Sequence, residues 1–176
     1  MNILVMGLYL LCIPLANFLI GNVGTECVPD GPCLLPVGFG MYAPSGVFIV
    51  GVSLVLRDMV QERVGVITSL YLVLAGTIIS FYIASPYVAL ASALAFAFSE
   101  LADTAVFTPV RRKFGVAWGV AASGAIGAVL DSALFLYVAF GSLNYIDGQI
   151  VGKLWAGLAA AIVLYVVHNR NKSAVA

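Results

Sequence analysis

Apolar runs long enough to cross a bilayer recur along this chain with only short polar breaks, and no other feature restricts its fold so strongly. They fall at residues 3–20, 42–58, 64–84, 87–107, 117–140 and 149–167. A helix needs about 20 apolar residues to cross about 30 Å of hydrocarbon, so six spans use nearly the whole sequence. Composition agrees: 62% of residues are hydrophobic, 9% are charged, and mean hydropathy is +1.09, far above what one soluble core requires. The expected architecture is all-α: a polytopic integral membrane bundle of six transmembrane helices, one domain over residues 1–176. No length remains for a soluble module. A secretory signal needs a basic region ahead of its apolar core, and the first run has no Lys or Arg before it. It is expected to stay as a span.

The breaks between spans alternate in charge. The loop from Gly21 to Met41 carries Glu26 and Asp30 without a base, the turn at Pro86 is uncharged, and the loop from Gly141 to Gly148 carries only Asp147. The other breaks hold Arg57 and Arg63, then Arg111, Arg112 and Lys113, then His168, Arg170 and Lys172. By the positive-inside rule this places both termini in the cytoplasm of a multi-pass inner-membrane protein, with the cysteine loop outside. Cys27 and Cys33 flank Val-Pro-Asp-Gly-Pro, a sequence suited to a tight turn. A disulfide or two free thiols are both compatible with that loop. The Gly- and Pro-rich stretch from Leu34 to Phe48 reads as an irregular or re-entrant entry to the second span, or as an ordinary outer loop. Gly124 with Ala128, Ser123 with Gly127, and Gly157 with Ala161 set small residues one turn apart, a spacing that lets helices approach closely.

A charge within a span costs at least ~2.5 kcal/mol on insertion scales, so intramembrane charges mark function first. In the fourth span Glu100 and Asp103 share a helix face, with Thr104 and Phe107 adjoining. In the fifth, Asp131 shares a stripe with Gly124, Ala128 and Phe135. In the sixth, Lys153 lies with Gln149, Ala156 and Ala160. It either snorkels to the headgroups or pairs with Asp131. Arg57, Asp58 and Gln61 fall within one turn at the end of the second span.

Several chemistries are excluded. The lone His168 stands in the tail, which removes a zinc site and a Ser-His hydrolase. No Gly-rich phosphate loop is present, and the basic residues form no nucleic-acid footprint. No enzymatic activity, cofactor or metal is expected. A carrier or binding subunit remains, whose carboxylates accept paired N–H donors and whose aromatics stack on a planar ring, favouring a nitrogenous heterocycle.

Five stretches carry a family likeness: Tyr-Ala-Pro-Ser-Gly-Val-Phe at 42–48, Leu-Arg-Asp-Met-Val-Gln-Glu-Arg-Val-Gly at 56–65, the block from Ser99 to Gly115, the helix from Ser123 to Gly141, and the lone Lys153. Together they resemble the queuosine precursor transporters of the vitamin-uptake-transporter group, once listed as a domain of unknown function. The resemblance implies six helices similar in fold to the substrate-binding subunits of energy-coupling-factor vitamin transporters. It also implies a 7-deazaguanine cargo such as preQ0 or preQ1. It sets Asp58, Asp103, Asp131 and Lys153 on the family's intramembrane charges, while Arg57, Gln61, Glu100, Thr104 and Arg111 match a subgroup pattern. Glu100 or Asp103 is then expected to read the N1–H and N2–H₂ edge, Asp131 with Lys153 a second edge or the helix packing, and Phe135, Phe107 or Tyr42 to stack. Arg57, Asp58, Gln61 and Arg111 form the gating or ion-pair group. The chain is short before its first span and has no Ala-x-x-x-Ala stripe in the first helix. That leaves a coupling-factor module or a homo-oligomer open. Another small heterocycle, vitamin or nucleobase, or a non-transporting partner subunit, is the alternative reading.

Overall fold

The computed structural model describes residues 2–173, apart from the side chains of residues 2, 103–104, 107–108, 111, 116–117, 119–121, 123, 161 and 164–173. Six α-helices run through it: α1 (Asn2–Asn22), α2 (Val47–Val64), α3 (Val66–Ile83), α4 (Pro86–Phe114), α5 (Val116–Phe140) and α6 (Ile146–Ser173). Between α1 and α2 lie β1 (Glu26–Cys27), β2 (Cys33–Gly38) and β3 (Met41–Pro44), an antiparallel sheet in sequence order. The expectation of an all-α chain is corrected by that sheet, and the second helix begins at Val47 rather than at 42. Pro36 and Pro44 lack a backbone donor and resist helix, and Val37 is buried between exposed Pro36 and Gly38, while Ala43 is buried next to exposed Tyr42. Neither a re-entrant segment nor a plain loop describes it.

Helix ends also extend past the apolar runs. α4 continues through Pro109 to Phe114, and α6 reaches Ser173. Charged residues end an apolar run without ending a helix. α2 turns into α3 at the single residue Gly65, and α4 into α5 at Gly115. α4 and α5 pack together most extensively, α6 lies on α2, and α1 contacts both α2 and α3. The sheet closes one end of the bundle: β2 and β3 lie on α6, β2 on α1, and Ser45 donates from Oγ to the Leu19 carbonyl at 2.7 Å.

Many large apolar side chains point outward, and several of the most deeply buried positions are small or polar. On α3, Ser69, Val73, Gly76, Thr77 and Ser80 form the buried face, while Ile67, Tyr71, Leu74, Ile78 and Tyr82 are exposed. Ala89, Ala91, Ser69, Ser80 and Ser132 have no measurable exposure, whereas Tyr82 is 87% exposed. A soluble bundle reverses this pattern, and close approach through small residues is how helices associate in lipid. By length and composition, Ile3–Asn22 and Val66–Ile83 are apolar enough to cross a membrane, and Pro86–Ala102 and Gly124–Phe140 are shorter apolar stretches.

Candidate functional site

Two apolar clusters bracket the interior. Ile20, Val88, Ala91, Ala95, Phe135 and Leu136 pack near the sheet, and Val5, Tyr9, Val60 and Val73 pack at the far end. The polar groups gather between them.

Among the described residues Lys153 is the most enclosed charge, its side chain 1% exposed. Its Nζ donates to Asp131 Oδ2 and, at 2.8 Å, to Ser132 Oγ. Both partners lie on α5. Lys153 is brought there by a tight crossing of α6 over α2: a Cβ on Gly51 would meet Ala156 Cβ at 2.5 Å and the Lys153 carbonyl at 2.8 Å. Higher on α6, Gly148 lies against the Tyr42 carbonyl with no room for a Cβ. The ion pair is the inward alternative for Lys153, not the snorkelling one. Buried in this way, each charge depends on the other, since either alone would be stranded away from water.

A cavity of about 70 Å³ lies on the sheet side of this pair, lined by residues of α1, α2, α4, α5 and α6 that include Ser53, Ser92, Phe96, Asp131, Phe135 and Gln149. Ser92 Oγ donates to Asn17 Oδ1 at 2.7 Å. Asn17 and Gln149 are each 3% exposed, and Asn17 Nδ2 and Gln149 Oε1 have no hydrogen-bond partner. A second cavity of about 150 Å³ opens toward the far end, bordered by Leu54, Arg57, Asp58, Ser99, Gly127 and Asp131. Leu54 and Asp131 line both, so the two are lobes meeting at the Asp131 carboxylate.

Below the second lobe Arg57 ties two carboxylates. It donates to Asp58 Oδ1 through Nε at 3.0 Å and Nη2 at 2.9 Å, and through Nη1 to Glu100. Gln61 Nε2 donates to Glu100 Oε2 at 2.9 Å. The Arg57 and Glu100 side chains are largely enclosed, whereas Asp58 is 68% exposed.

The structure thus joins two groups that the sequence kept apart: Glu100 belongs with Arg57 and Gln61 rather than standing as an open carboxylate. Phe135 lines the sheet-end lobe, but Tyr42 does not: it is 42% exposed and Ala43 takes the inward place on β3. Phe96 also lines that lobe. Asp103, Thr104, Phe107 and Arg111 lie outside the described side chains. Cys27 and Cys33 are cross-strand partners joined by a disulfide. Among the described residues nothing lies within 4 Å of a Cβ built on Gly124. Ser53, Ser92, Asn17 and Gln149 were not singled out from sequence, although Gln149 shares the Lys153 face. Among the described residues no group of three His, Cys, Asp or Glu converges to hold a metal.

Residues 80–167, half of the chain, match the family model described as "Putative vitamin uptake transporter". The chain belongs to this vitamin uptake transporter family. The matched stretch runs from the last turn of α3 into α6, and so carries Ser92, Glu100, Asp131, Gln149 and Lys153. Family membership and the apolar outer surface together point to a membrane transporter. No curated protein and no solved structure matches the chain.

Proposed function

We propose that the chain is an uptake transporter for a queuosine precursor, a 7-deazaguanine such as preQ0 or preQ1, crossing the inner membrane six times with both termini in the cytoplasm. One observation carries this reading: Asp131 sits where the two lobes meet, with Oδ2 held by Lys153 and, among the described residues, no hydrogen bond at Oδ1. A carboxylate so placed accepts ring N–H and exocyclic amine donors, and the charge it needs is already fixed by Lys153. Phe96 and Phe135 supply ring faces in the sheet-end lobe. The Arg57, Asp58, Glu100 and Gln61 cluster closes the far end, and its opening releases cargo toward the basic loops. Arg63 in the last turn of α2 and Arg112 and Lys113 in the last turn of α4 stand at that end, which supports a cytoplasmic far end.

The test is restoration of queuosine in tRNA in a bacterium lacking both precursor synthesis and its own transporter, fed low preQ0 or preQ1. Wild type restores the modification and Asp131→Asn, expressed equally, does not. Full restoration by Asp131→Asn removes the carboxylate from the site. The family description favours a second reading, a vitamin of similar size and planarity. Absence of rescue by a well-expressed wild type shifts the cargo to that class.

A further inference from the structure

Gln149 stands in the first turn of α6, where its backbone N–H is already bonded to the Tyr145 carbonyl at 2.9 Å. Its side chain lines the sheet-end lobe, is almost wholly enclosed, and presents an Oε1 that accepts no hydrogen bond. An enclosed amide oxygen without a donor is unfavourable, and a ligand N–H recovers that loss. The position is fixed by packing. Gly148 lies against β3, and a Cβ on Gly152 would meet Val47 Cγ2 at 2.8 Å, so this turn of α6 cannot withdraw without breaking the sheet contact.

The surroundings limit what can approach Oε1. Ile20, Pro44 and Val47 line the same lobe, whose volume is about 70 Å³. An unsubstituted ring edge fits such a space, and a ring nitrogen bearing a sugar does not. The sugar would also bring hydroxyl groups against apolar walls. Ser92 Oγ, also on the wall, is turned away to Asn17 Oδ1, which leaves Gln149 as the neutral amide lining the lobe.

We infer that Gln149 selects free bases over nucleosides, its Oε1 accepting the unsubstituted ring N–H that a glycosidic bond removes. The inference rests on the heterocycle reading above and adds the edge by which the ring is read.

The test uses the full chain purified in detergent, with binding read as ligand-dependent thermal stabilisation. The probes are 7-deazaguanine and hypoxanthine, each against its own ribonucleoside, on wild type and Gln149→Leu. Wild type is expected to bind each base at least tenfold tighter than its nucleoside. Gln149→Leu is expected to melt at or above wild type without ligand, to lose about tenfold in base affinity, and to lose the preference for bases. Equal affinity for base and nucleoside in wild type overturns the inference, even if the variant does not fold. Full base affinity in Gln149→Leu overturns it too. Either result leaves the heterocycle reading standing, whereas a wild type that binds none of the four probes removes both.

Discussion

Lys153 on α6 reaches Asp131 on α5 from a helix whose own closest neighbour is α2, so one ammonium ties α5 to the α2–α6 pair at the level where the two lobes meet. Removing the cation alone strands the carboxylate. Lys153→Met is expected to destabilise by about 3–5 kcal/mol, and Lys153→Met with Asp131→Asn to recover most of that loss. Thermal unfolding of the single and double variants in detergent checks it as a double-mutant cycle. Transport is absent in the double variant, despite its recovered stability, if Asp131 reads cargo.

The crossing of α2 and α6 is equally exacting. Gly51→Ala sets a methyl 2.5 Å from Ala156 Cβ and 2.8 Å from backbone, which the helices relieve only by moving apart. A loss of about 1–3 kcal/mol is expected. Gly7→Ala on α1, with nothing within 4 Å, is expected to be neutral or to gain up to about 1 kcal/mol. Parallel melting curves separate the two.

At the far end Arg57 contacts two carboxylates in different directions, a task for a planar guanidinium with several donors. Arg57→Lys keeps the charge but serves only one of them well. Uptake by Arg57→Lys is expected to fall with little change in melting temperature, whereas Arg57→Gln loses both. Initial-rate uptake beside thermal unfolding distinguishes the outcomes.

Cys27 and Cys33 close a short loop on the sheet, and Cys12 is the free thiol of the three cysteines. Alkylation of the unfolded chain is expected to label one cysteine before reduction and three after it, as read by intact mass. Cys27→Ser with Cys33→Ser is expected to cost about 2 kcal/mol by loop-closure entropy.

The helices were legible because continuous apolar character is the bilayer's own demand, and α3 and α5 begin and end within two residues of the apolar runs. The sheet was not, because its strands are short and rich in Gly and Pro, features that also describe a loop. Lys153 and Asp131 stood out through the cost of burying charge. Gln149 and Asn17 did not, since a neutral amide among apolar residues costs less and leaves a weaker mark. The meeting of Glu100 with Arg57, 43 positions away, depends on how α4 sits against α2, and no periodicity within either helix records that.

The outward placement of bulk on α3 reverses the usual map of mutational tolerance. Exchanging Tyr82 for another large apolar residue alters a surface that fluid acyl chains remould, so the fold absorbs it. Adding a single methyl group at Gly76 sets it 2.8 Å from the Ile13 side chain. In this protein the smallest side chains carry the strictest size requirement.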